Sequence, residues 1–242
     1  MTIRILAAVG LGTGLLFAAD QPNAVEAKQT MQISDTQRLD FPSGGTLRLK
    51  HSIGVLTVEA WDRPDVEITT VKYTKAGIDA PGREGATKQL QRVTIATERR
   101  GNELVVTTNV PRYWGFNSVL EYYIKAPASA RIVDEHHSNG NVNIDGLSGD
   151  IDVNLSQGEI LLHLPEDRQY SIRTRSTFGN VNSDFSAEER RWWLVGHRSL
   201  SENAASPQKV NLKVGYGDIV LLRTRVPKAP DPLIPAAKPV GL

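Results

Sequence analysis

The sequence predicts an all-β fold, a repetitive β-solenoid or two-sheet β-roll of short strands. Three observations predict it. Glycines at 140, 149 and 158 stand nine residues apart, and each opens a short segment such as Gly140-Asn141-Val142-Asn143-Ile144. Related segments open at Gly54, Gly179 and Gly217. The second residue after each glycine is always aliphatic: Leu56, Val142, Ile151, Ile160, Val181 or Ile219. The fourth is aliphatic too, except Ser183. A period of two makes one face of a short strand apolar and the other polar, whereas a helix needs apolar residues at i, i+3 and i+4.

In chain order, residues 1–27 read as a secretory signal. Arg4 is the basic start, Ile5 to Ala19 carry no charge, and Val25-Glu26-Ala27 offers small residues for cleavage after Ala27. Cleavage after Ala19 and an uncleaved anchor are the alternatives. The uncharged stretch is shorter than the ~20 residues of a spanning helix. Gly10-Leu11-Gly12-Thr13-Gly14 imitates a nucleotide loop but lacks its third glycine, because position 15 is leucine.

Residues 28–45 form a lead-in, and 46–226 form the repetitive β domain. Leu47/Leu49, Val66/Ile68, Val93/Ile95, Leu104/Val106 and Leu120/Tyr122/Ile124 all alternate as strands do. Gly85 to Arg92 offers at most a helical turn. Gly140, Gly158 and Gly179 lie 18 and 21 residues apart, and Gly217 another 38, about two such steps. This predicts coils of two strands each that bury their apolar faces only by stacking. Residues 186–207 interrupt the pattern as an insertion. Residues 227–242 hold five prolines and read as a disordered tail.

The chain has 242 residues, 40% of them hydrophobic, which suffices for a core. The formal charge is +1, and it becomes +2 once Arg4, Asp20 and Glu26 leave with residues 1–27. Such a balance gives no general attraction to nucleic acid or to an anionic membrane. With no cysteine, disulfides, thiolate metal sites and a cysteine nucleophile are excluded.

Gly54-Val55-Leu56-Thr57-Val58-Glu59-Ala60-Trp61-Asp62-Arg63-Pro64-Asp65-Val66, Glu121-Tyr122-Tyr123-Ile124-Lys125-Ala126-Pro127 and the Gly140/Gly149/Gly158 series together resemble a bacterial family. It is the adhesin-like domain family DUF4097, whose members carry the description putative adhesin. The resemblance spans roughly Leu47 to Arg225. It implies a β-solenoid-like domain on exported or membrane-anchored proteins, and it brings no catalytic residues to carry over. The stretch from Ser186 to Pro207 departs from it.

Chemistry-bearing motifs are sparse. No HExxH, Walker loop or GxSxG follows residue 27, and no cofactor is expected. His136-His137 are adjacent on a strand and so face opposite ways, which suits a strand end better than one metal ion. Calcium β-rolls use paired glycines and a fixed aspartate, whereas each copy here has one glycine followed by Asn141, Asp150 or Glu159. Asp145, Asp150, Asp152, Glu159, Glu166 and Asp184 could serve a carbohydrate-active enzyme if two of them converged in a cleft. Trp192 and Trp193 are the candidate ligand-binding residues. They would either stack on sugar rings or cap the open end of the sheets. The expected function is a non-enzymatic, envelope-associated binding or structural module, exported to the periplasm or surface. Its expected partner is a cell-envelope glycan or protein, with no nucleic acid and no membrane span after cleavage.

Overall fold

A computed structural model describes residues 28–111, 118–185, 188–191, 197–201, 206 and 208–224. Ala27, Trp192 and Trp193 lie outside these residues, as do the segments 1–27 and 227–242 expected to be a signal and a tail. The chain begins with β1 (Gln32–Asp40), β2 (Thr46–Lys50), β3 (Val55–Trp61) and β4 (Asp65–Thr74). A 3-10 turn at Ala80–Gly82 leads into α1 (Arg83–Gln91), the one α-helix among the described residues. There follow β5 (Thr94–Arg100), β6 (Glu103–Asn109), β7 (Ser118–Pro127), β8 (Arg131–His137) and β9 (Val142–Asp145). Next come β10 (Ile151–Gln157), β11 (Ile160–Pro165), β12 (Tyr170–Phe178) and β13 (Val181–Ser183). The last are β14 (Glu188–Arg191), β15 (His197–Ser201), β16 (Gln208–Tyr216) and β17 (Ile219–Thr224).

These strands make two mixed sheets, neither of them closed. One has eight strands in the order β1-β4-β7-β3-β9-β11-β17-β13, the other nine in the order β14-β15-β12-β16-β10-β8-β2-β6-β5. Six pairs of consecutive strands, β6/β7, β2/β3, β8/β9, β10/β11, β16/β17 and β12/β13, occupy matching places in the two sheets. Each pair crosses from the nine-stranded to the eight-stranded sheet, and its neighbours run parallel to it. The order is not that of the sequence. β16/β17 lies between β10/β11 and β12/β13, and β6/β7 lies outside β2/β3. Antiparallel strands border this parallel block: β4 and β1 beside β7, β5 beside β6, and β15 and β14 beside β12.

The alternation seen in the sequence becomes rungs of aliphatic side chains between the sheets. Leu56, Val142, Ile160 and Ile219 are in cross-strand register and fully buried. Leu47, Ile132, Ile151, Val210 and Ile172 form a second row in register within the other sheet, also buried. Each such side chain stabilises the fold by roughly 1.5–3 kcal/mol, and no single pair of strands could bury both its faces. α1 covers more than the expected turn, and its Leu90 is buried.

The corner between the sheets explains the glycines. Gly158 has φ +138, and a Cβ on it would lie 1.8 Å from the carbonyl oxygen of Gly140. One on Gly140 would lie 1.8 Å from the Gly54 oxygen, and one on Gly217 1.8 Å from the Gly158 oxygen. The corners therefore stack backbone on backbone, closer than any side chain permits. The Gly158 amide donates to the Tyr216 carbonyl at 2.9 Å, and the Gly140 amide to the Gln157 carbonyl at 3.0 Å. Gly149 plays a different part despite its nine-residue spacing. It precedes a strand of the nine-stranded sheet, at the opposite corner, where a Cβ would sit 2.1 Å from the Ala130 oxygen. The nine residues from Gly140 to Gly149 are half a turn of the chain around the two sheets, and the eighteen from Gly140 to Gly158 are a whole one.

Candidate functional site

The outer face of the nine-stranded sheet begins with an irregularity in β8. Asp134 pairs with Val153, but His137 pairs with Leu155, so β8 carries one extra residue there. Such a bulge breaks the inward–outward alternation. Glu135 and His136 are both exposed as a result, while Asp134 and His137 both point inward and are buried.

Beside this bulge the C-terminal halves of β8, β10, β16 and β12 form an open groove of about 680 Å³. His136, Asn154, Lys213, Arg175 and Tyr216 line it together with small hydroxyl residues, and no carboxylate among the described residues lines it. The parallel register puts Asn154, Lys213 and Arg175 in one row, one strand apart. Gly215 keeps the floor flat, since a Cβ there would lie 2.6 Å from the Ser156 oxygen. At the corner end, Phe178 and Tyr216 stack with ring centroids 4.6 Å apart and planes 10° from parallel. They remain 48% and 59% exposed, an unusual state for two large apolar rings.

Beneath the bulge, three residues of the kind used by hydrolases meet. Ser52 Oγ donates to Asp134 Oδ1 at 2.6 Å, and His137 Nδ1 lies 3.0 Å from Asp134 Oδ2. The other ring nitrogen, Nε2, donates to the Gly54 carbonyl at 2.8 Å. A nucleophilic triad needs the serine bonded to the imidazole. Here Ser52 bonds the carboxylate, the imidazole is occupied on both sides, and all three side chains are buried. The network instead satisfies a buried aspartate and ties β8 to the first glycine corner. Nearby, Tyr122 is raised above the ordinary tyrosine pKa by burial, and its hydroxyl meets Thr108 Oγ1 at 2.6 Å.

The residues named from the sequence have separate fates. His136 and His137 do face opposite ways, but His137 is a fully buried partner of Asp134, not a solvated strand end. Asp150 Oδ1 accepts from the Lys209 amide at 2.9 Å, and Asp184 Oδ2 from the Arg223 amide at 3.1 Å. Asp152 lies on the outer face, Asp145 ends β9, and none of the six carboxylates lines the groove. Trp192 and Trp193 fall outside the described residues. The groove itself escapes a reading of the sequence. Arg175 and Lys213 are 38 positions apart and become neighbours only through the out-of-order insertion of β16.

No family model matches the chain, and no curated protein matches it. Solved structures do. A putative cell adhesion protein from Clostridium sporogenes is 14% identical, covering 80% of this chain and 100% of its own, with a TM-score of 0.50. A putative adhesin from Parabacteroides merdae is 12% identical over 79% and 85% of the two chains, with a TM-score of 0.30. A putative lipid binding protein from Parabacteroides distasonis is 8% identical over 79% and 95%, with a TM-score of 0.22. At these identities the likeness concerns the fold, and the chain shares that of the clostridial protein.

Proposed function

We propose that this chain is an exported, adhesin-like binding module without catalytic activity, built as a β-solenoid of six stacked coils. The observation that carries the reading is the groove: four adjacent strands fix its polar and basic side chains on a flat face without a carboxylate among the described residues. A glycosidase would need two carboxyl groups facing each other across the scissile bond. The name of the clostridial structure, a putative cell adhesion protein, supports the same reading. No helix among the described residues is long and apolar enough to cross a membrane.

In this reading residues 1–27 direct export and are removed after Ala27. Residues 28–45 lead into the domain of 46–226, and 227–242 form a tail. Residues 186–207 are an insertion on the nine-stranded sheet. Trp192 and Trp193 directly follow β14 in sequence, and we assign them a ligand contact. The partner is a glycan or protein of the cell envelope.

Fractionation of the native host, with N-terminal sequencing of the product, tests the location. A chain starting at Lys28 in an envelope or secreted fraction is expected, and a cytosolic chain starting at Met1 refutes export. Attachment of a deletion strain to envelope polysaccharide and to whole cells tests the role, with loss of attachment expected. Release of new reducing ends by the purified protein would establish the carbohydrate-active enzyme instead.

A further inference from the structure

We infer that the groove on the nine-stranded sheet is a binding site for an acidic polysaccharide, a ligand class that deepens the adhesin-like reading and rests on it. The first ground is charge. Lys213 and Arg175 are direct cross-strand partners, both exposed, and neither has an ion-pair partner among the described residues. Neighbouring strands lie about 4.8 Å apart, and like charges opposite each other destabilise a sheet. The same row of the ladder continues through Arg198 of β15 and Arg190 of β14, so four consecutive strands place a basic residue in one register. The Lys213–Arg175 pair costs folding energy in the free protein, and an anionic chain lying across the strands removes that cost.

The second ground is shape and surface chemistry. The groove is shallow and open, and Asn154, Ser156, Gln157 and Thr177 supply the amides and hydroxyls that exchange hydrogen bonds with sugar hydroxyls. The exposed Phe178–Tyr216 stack stands at its end, offering flat apolar surface to the face of a pyranose ring. The near-neutral chain has no long-range field to draw in a nucleic acid, whose density of charge rewards a strongly basic protein. A sugar chain with spaced carboxylates fits the short basic row better.

Titration of the purified protein with polygalacturonate, with neutral dextran and with single-stranded oligothymidylate separates the outcomes. Binding of polygalacturonate alone is expected. It should weaken as salt rises from about 50 to 200 mM, since the contacts are solvent-exposed ion pairs. Lys213→Glu and Arg175→Glu should each weaken it roughly tenfold. Phe178→Ala with Tyr216→Ala should weaken it roughly fivefold without changing the salt dependence. All variants must keep the far-UV spectrum of the parent, and Lys213→Gln serves as the milder replacement should Lys213→Glu misfold. Equal binding of dextran, tighter binding of the oligonucleotide, or polygalacturonate binding indifferent to both charge reversals overturns the assignment. If polygalacturonate fails to bind while the deletion strain still loses attachment, the ligand class falls and the adhesin-like reading stands. If attachment is also unaffected, both fall.

Discussion

The two halves of one face differ in how they treat charge. Toward β2, Arg48 donates to Glu103 at 2.6 Å and to Glu135 at 2.8 Å, and Lys50 lies 3.8 Å from Glu135. Both of these basic residues have an acidic neighbour on an adjoining strand. Toward β16 and β12 the sheet is the same, but Lys213 pairs with Arg175 and no acid among the described residues stands in the groove. The first arrangement stabilises strand pairing; the second leaves basic charge uncompensated among the described residues. A positive patch is thus informative only once its internal partners have been counted.

The largest expected effect comes from the network that holds the two halves together. Asp134→Ala strips Ser52 and His137 of their buried partner and should cost about 3–5 kcal/mol, measured by urea unfolding. A loss below about 1 kcal/mol would mean that the network is wet, not sealed.

Next comes the shared corner. Gly158→Ala puts a Cβ against backbone at a left-handed φ and should cost about 2–4 kcal/mol, lowering the melting temperature of the whole domain in one transition. Separate melting of the two halves would show that the stack is not one cooperative unit.

The comparison is sharpest in a pair of surface variants. Arg48→Ala should cost up to about 1 kcal/mol, because its paired charges are partly exposed. Lys213→Ala should leave the melting temperature unchanged or raise it slightly, since it relieves repulsion with Arg175. A loss for Lys213→Ala as large as that for Arg48→Ala would make the basic row structural.

The smallest effect is on pH. Tyr170 is pushed up to about 12 by burial, and Tyr73 to about 12 by its hydrogen bond to Glu121. An unfolded tyrosine ionises near 10.0, so above that pH the unfolded chain loses protons which the folded chain keeps. Stability is therefore constant below about pH 10 on this account and falls as pH rises toward about 12. Far-UV melts across that range measure it, and a flat profile would contradict the burial of Tyr170.

Much of the fold can be read from spacing. The aliphatic residues two and four places after the glycines are core residues in the structure, from Leu56 and Val58 to Ile219 and Leu221, except Val181, which is only partly buried against the core. The eighteen-residue turn of the chain is visible between Gly140 and Gly158. The site is far less legible. His136 reaches the groove only because β8 bulges, and an extra residue in one strand leaves no mark on composition. Asp134 reads as one more polar strand residue, yet it stands on a rung between Leu49 and Val153.

Local pattern determined what a short segment can settle alone: β over α, which side of each strand is apolar, and where only glycine fits. Those choices depend on residues within one strand and its turn. The order of the strands, with β16 between β10 and β12, was decided by the tertiary structure. Every strand of the parallel block offers nearly the same apolar face, so period-two alternation cannot tell one neighbour from another. That order brings Lys213 beside Arg175, and so the basic row exists only in the folded chain.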